Sequence, residues 1–191
     1  DSGYYPQVDV KVRSARRRCL DHWRSKLGPV RAVYHLAGTE PGGLFVACDV
    51  HELKGQVEVK LGGLINLDLA TRVDAPGVFV AFSSVAAHAG AVGCAAYAAA
   101  NRAVEAYIAK RSRAQTGRSI SIAWSAWPEG GMSFQGRKAL EVEAEGIRPV
   151  PHDAAHSWIE CALSMEGVDT LISPFGNTVK VLRKLTAERR S

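Results

Sequence analysis

Residues 77–101 read GVFVAFSSVAAHAGAVGCAAYAAAN, and this stretch decides the fold. Its opening, Gly77 to Ser84, is an apolar run that ends in two serines. A strand that is apolar on both faces belongs inside a parallel sheet, with helices covering it above and below. From Ala95 the sequence turns alanine-rich and predicts a long helix to Thr116. A buried strand that passes through a short turn into a long helix is the repeating unit of an open α/β sheet.

The same alternation extends outward in both directions. Upstream, Gln7 to Val12 predicts a short strand and Arg13 to Leu27 a helix stopped by Gly28-Pro29. Arg31 to Ala37 predicts a strand, and Val50 to Leu69 a long helix with Leu53, Val57, Leu61 and Leu64 facing inward. Downstream, Ser119 to Trp124 predicts a strand and Gly136 to Glu145 a short helix. A helix over Asp153 to Met165, N-capped by Asp153, and a last strand over Thr170 to Phe175 complete the pattern. The expected fold is α/β: a Rossmann-like, doubly wound parallel sheet. A dinucleotide-binding sheet normally opens with a strand, a Gly-rich turn and a helix that seats the pyrophosphate. No GxGxxG stands in these 191 residues, so the chain is expected to lack the first two strands and that turn.

Composition bounds the remaining possibilities. A chain of 191 residues, 47% apolar and 23% charged, suits one domain with a sizeable core. The first residue is Asp1 rather than Met, which suggests a piece of a longer polypeptide or a processed chain. There is no signal peptide and no run of eighteen apolar residues, so no membrane partner is expected. Much of the formal charge of +5 lies in Arg13, Arg16, Arg17 and Arg18, and in Arg183, Lys184, Arg189 and Arg190, which suit solvated helix faces. No aromatic residues interleave with them, which argues against a nucleic-acid surface. An acidic carrier protein or a phosphorylated cofactor is a better match for mild basicity. Cys19, Cys48, Cys94 and Cys161 are widely spaced and form no CxxC pair. They predict reduced thiols, no metal site and a cytoplasmic setting.

The chemistry concentrates after the buried strand. Ser84 lies at a strand end, and Tyr97 follows thirteen residues later on the next helix. Strand ends and helix N-termini share the crevice where open α/β sheets bind ligands. Ser84 and Tyr97 can thus meet at one substrate oxygen, with Tyr97 as proton donor and Ser84 as hydrogen-bond donor. A free phenol titrates near 10, and a neighbouring ammonium would lower it. Lys60, in VEVKLG, is the candidate. Asn101 lies one turn beyond Tyr97 and could orient Lys60 or a water. Each residue taken alone has a plainer reading: a turn serine, a half-buried tyrosine, a solvated lysine, a surface asparagine. Their joint spacing favours a site. His35 is expected to be buried and hydrogen-bonded near the cofactor, Trp124 to lie in the core and Trp127 to form a pocket wall. His88 receives no role.

This set resembles the ketoreductase domains of polyketide synthases, a branch of the short-chain dehydrogenase/reductases. The resemblance rests on FSS at Phe82 to Ser84, YAAAN at Tyr97 to Asn101, Lys60 twenty-four residues before Ser84, HLAG at His35 to Gly38, and WSAWPEGGM at Trp124 to Met132. The double-Gly-Met form is similar to that of iterative synthases, including those making polyunsaturated fatty acids. It implies that residues 1–191 are the C-terminal part of one ketoreductase domain. It implies NADPH as cofactor, flanked by Asp9, Val10, Ala37, Gly38, Lys60 and Tyr97. The implied catalytic residues are Ser84, Tyr97, Lys60 and Asn101, and the substrate-side residues Trp127, Gly131 and Met132. The implied reaction is reduction of the 3-keto group of an acyl chain on an acyl carrier protein, with the other domains of the synthase as partners. A lid helix over the substrate would precede Glu141 to Gly146. The family's LDD triplet and the Trp five residues after the serine are both absent, so the alcohol's configuration is not legible. Two alternatives stay open: a structural remnant that does not hold NADPH, and a stand-alone reductase acting on a free small molecule.

Overall fold

The computed structural model describes residues 6–39, 49–90, 93–127 and 149–173. Four strands form one sheet in the order β1-β2-β3-β4, and every neighbouring pair is parallel. The strands are β1 (Ala32–His35), β2 (Val78–Ser84), β3 (Arg118–Trp124) and β4 (Thr170–Ile172). The helices are α1 (Arg13–Leu27), α2 (Val50–Val57), α3 (Gly63–Thr71), α4 (Ala86–Ala89), α5 (Ala95–Ala114) and α6 (His152–Ser164). Among the described residues, no helix is long and apolar enough to cross a membrane. Nor do any group three or more metal-ligating side chains.

Side chains of β2 alternate between two cores, as pleating requires. Phe79 and Ala81 join Val33, Leu64, Val104 and Ile108 against α3 and α5. Val80 joins Ile120, Ile122 and Trp124 against Ala155 and Ala162 of α6 on the other face. Helices thus cover both faces, and that is why β2 has a continuous apolar run. The strands also step in one direction across the sheet while α5 and α6 lie on opposite faces. The β3–α6–β4 crossover therefore has the opposite hand to β2–α5–β3, a departure from the usual uniform hand.

A buried ionic cluster ties α3 to α5 behind the sheet. Asp68 accepts from Arg111 Nε at 2.7 Å, Tyr107 Oη at 2.7 Å and Arg72 Nη2 at 2.8 Å. Burial pushes the Asp68 carboxyl up, but these three donors and the Arg111 charge outweigh it and hold it below its ordinary value. The turn before β3 demands glycine. Gly117 has φ +83°, and a Cβ there would lie 2.5 Å from the Pro76 carbonyl oxygen.

Three expectations are corrected. Gln7 to Val12 is not a strand. The Asp9 side chain accepts from the Lys11 N–H at 2.8 Å and the Val12 N–H bonds back to the Asp9 carbonyl. That Asx turn diverts backbone groups from any sheet ladder. The sheet consequently begins at β1. The expected long helix over 50–69 is interrupted by a π turn at Glu58–Gly62, and of its four expected inward leucines and valine only Leu64 is fully buried. Asp153 does not cap α6: Pro151 occupies the cap, and Asp153 accepts from its neighbour Ala154 N. The helix expected over Gly136 to Glu145 lies outside the described residues, as does the end of the last expected strand.

Candidate active site

Strand β2 ends at Ser84, and its hydroxyl accepts from the Ala86 N–H at 3.2 Å, which starts α4. After the turn, α5 begins at Ala95 and places Tyr97 in its first turn. The side chains of Ser84 and Asn101 both lie near the Tyr97 phenol and favour its ionised form. The end of β2 and the first turn of α5 therefore bring Ser84 and Tyr97 close together.

Lys60 reaches the same place from the π turn. Its Nζ donates to the Phe82 carbonyl at 3.0 Å and lies 5.5 Å from the Tyr97 ring centroid. The side chain is buried, 4% exposed, and burial lowers the ammonium from 10.5 to about 8. The residue belongs to the π turn, a feature frequent at functional sites. The Lys60 carbonyl, which can only accept, faces His35 Nε2 at 2.8 Å. His35 therefore carries its proton on Nε2 and pins the π turn to the end of β1.

The Tyr97 phenol behaves differently from the expectation. Burial pushes it above its ordinary value of 10, and the nearby Ser84 and Asn101 side chains offset this only in part. The Lys60 ammonium sits over the ring rather than against the hydroxyl. In this structure the tyrosine is thus a fully protonated acid at neutral pH.

Asn101 is completely buried; its Nδ2 donates to the Tyr97 carbonyl at 2.8 Å. Its Oδ1 has no hydrogen-bond partner among the described residues. A buried orphan acceptor costs about 1–3 kcal/mol. Such an acceptor beside Lys60 and Tyr97 suits a water or a ligand hydroxyl.

Val10, one of the expected cofactor residues, packs against α3. A Cβ on Gly63 would lie 2.9 Å from Val10 Cγ2 and 3.1 Å from His35 Cε1. The bare glycine lets the 8–12 turn and the end of β1 close onto the helix together. Asn66 Nδ2 holds the Val10 carbonyl at 3.3 Å. Asp9 is exposed beside this contact, and Ala37 and Gly38 continue from β1 half-buried. On the other face Trp127 packs at 5.0 Å against the buried Trp124, which packs on Phe82. Gly131, Met132 and Glu141 to Gly146 lie outside the described residues.

Sequence reasoning overlooked one group. Glu105, on α5, accepts from Ser83 Oγ at 2.6 Å, from His88 Nε2 at 3.0 Å and from Arg102 Nη1 at 2.9 Å. Tyr97, Asn101 and Glu105 recur every four residues along one helix face, a stripe that could have revealed it.

A Rossmann-like sheet with Ser, Tyr and Lys converging at its carboxyl edge defines the class of short-chain reductase folds. Comparison with known proteins narrows this. The family model described as "KR domain" matches residues 4–129. The chain is 30% identical over 195 residues to the polyketide synthase PksN of Bacillus subtilis, covering 98% of this chain and 4% of that protein. It superposes on the ketoreductase from the first module of phoslactomycin biosynthesis in Streptomyces sp. HK803 with TM-score 0.84 and 30% identity, covering 96% of this chain and 42% of that one. A ketoreductase domain from the bacillaene assembly line superposes with TM-score 0.84 at 26% identity, covering 95% and 45%. The chain belongs to the ketoreductase domains of polyketide synthases. It spans only a small part of the multidomain synthases it matches, and less than half of these solved ketoreductases.

Proposed function

We propose that these residues form the catalytic part of a ketoreductase that uses NADPH to reduce the 3-keto group of an acyl chain on an acyl carrier protein, within a larger cytoplasmic synthase. The observation that carries it is the convergence of Ser84, Asn101 and Lys60 on Tyr97, from three separate elements.

The residues present fit the nicotinamide and ribose end of such a cofactor. Lys60 Nζ and the orphan Asn101 Oδ1 offer a donor and an acceptor for hydroxyls. The Asp9–Val10 turn and Ala37–Gly38 would flank the adenine side. Residues 1–191 contain no GxGxxG turn of the kind that seats a pyrophosphate. When bound, the cofactor supplies the hydride that goes to the carbonyl carbon.

The chain's own residues handle the oxygen. Ser84 Oγ–H donates to the ketone oxygen and orients it. As negative charge grows on that oxygen, Tyr97 Oη–H gives up its proton and an alcohol results. The Lys60 ammonium, held in a low-dielectric setting, stabilises the phenolate left behind. Asn101 Oδ1 accepts from a water and so orders the path that returns a proton to Tyr97. Trp127, Gly131 and Met132 are assigned to the acyl chain.

The test is Tyr97→Phe in the intact polypeptide, assayed with NADPH and a 3-ketoacyl thioester. Turnover should fall at least ~100-fold, the scale of general acid catalysis, with the melting temperature nearly unchanged. A variant with near-normal kcat overturns the proposal.

A further inference from the structure

Beneath the serine turn lies a carboxylate that the mechanism above does not use. Glu105 is 4% exposed, and both of its oxygens are engaged. Oε1 accepts from Ser83, the residue before Ser84, and from His88 of α4. Oε2 accepts from Arg102, one turn earlier on the same helix. His88 is half-buried and lies on α4, the single helical turn that follows Ser84.

Consecutive strand residues face opposite ways. Ser83 therefore points down to α5 while Ser84 stands at the substrate edge. A grip on Ser83 and another on His88 fix the backbone of Ser84 from both sides. The gripping residue is on the helix that carries Tyr97 and Asn101, eight and four residues earlier. One side chain thus joins the supports of the serine and the tyrosine.

We infer that Glu105 is a positioning residue for the reduction: by clamping Ser83 and His88 to α5 it fixes where Ser84 stands relative to Tyr97. The inference rests on the ketoreductase reading of the site. Misplacement of a reacting group by about 1 Å costs up to ~100-fold in rate, whereas binding of remote parts of the substrate is insensitive to it. Glu105→Ala should accordingly lower kcat about 10- to 100-fold with KM and the NADPH dissociation constant within about threefold of the parent. Glu105→Gln keeps an acceptor for Ser83 and should restore most of the rate.

The decisive experiment is a double-mutant cycle in the intact polypeptide, using NADPH and a 3-ketoacyl thioester. If Glu105 acts through Ser84, then Glu105→Ala should lose most of its effect in a Ser84→Ala background. Full additivity, or a parent-like kcat in Glu105→Ala, overturns the inference. If Glu105→Ala does not fold, Ser83→Ala removes one arm of the clamp alone, and the same non-additivity with Ser84→Ala is required of it. Tyr97→Phe and Ser84→Ala serve as the separate control. If both retain full activity, the ketoreductase site itself is wrong. If they lose activity while Glu105 behaves additively, only the positioning role fails.

Discussion

Replacing Lys60 with methionine keeps the length and apolar stem of the side chain and removes one buried charge. Burial moves the ammonium from 10.5 to about 8, a change equivalent to about 3 kcal/mol against the charged form. At pH 7 the group is still about nine-tenths charged, and at pH 9 about one-tenth. Tyr97 is held above its ordinary value and contributes no titration in that range. If the mechanism needs the ammonium, kcat/KM of the intact polypeptide should fall about tenfold per pH unit above 8, since this parameter reports the free enzyme. Lys60→Met should lower the rate at pH 7 about 100-fold and abolish the limb near pH 8, leaving only the more alkaline limb of Tyr97. Stability should move the other way. The folded state binds this proton more weakly than the unfolded chain does, so between about pH 8 and 10.5 the unfolded state holds more protons and stability rises with pH. Below pH 8 the full penalty applies, offset in part by the bond from Nζ to the Phe82 carbonyl. Lys60→Met should therefore raise the melting temperature most at pH 7 and least at pH 10.5. A parent pH–rate profile that stays flat to pH 9.5, or a variant with the parental profile and rate, would refute the assignment of Lys60.

Two further outcomes test how the framework supports the site. Gly63→Ala places a Cβ 2.9 Å from Val10 Cγ2 and should push the 8–12 turn away. NADPH affinity, read by fluorescence titration of the intact polypeptide, should weaken about tenfold with a stability loss of about 1–3 kcal/mol; an unchanged dissociation constant would remove Val10 from the cofactor site. Asp68→Ala leaves Arg111 buried without its carboxylate and should cost about 3–5 kcal/mol in urea unfolding. A loss below about 1 kcal/mol would mean that the cluster relaxes freely.

The sequence by itself determined the elements whose periodicity is local, and it singled out a candidate set whose separations are fixed along the chain. Helix α1 spans the predicted residues, and β2 differs from its predicted run by one residue at the start. The apolar run from Gly77 to Ser84 could only be a covered strand, because each of its faces needs a partner. Ser84, Tyr97 and Asn101 were legible because one strand end and one helix turn hold them, so counting residues is counting distance. Lys60 was legible as a residue but not as an environment. The π turn and the packing of α3 under β1 decide that it is buried and that its ammonium is weakened. The tertiary structure also decided that Gln7 to Val12 turns instead of pairing, since a strand exists only beside another strand and Asp9 offers the backbone a local alternative. Glu105 shows the limit most clearly. Its sequence neighbours suggest an exposed helix charge, and only the closure of β2 onto α5 turns it into a buried acceptor for Ser83 and His88. Partners that are 22 and 17 residues apart meet by packing, and no local pattern encodes that contact.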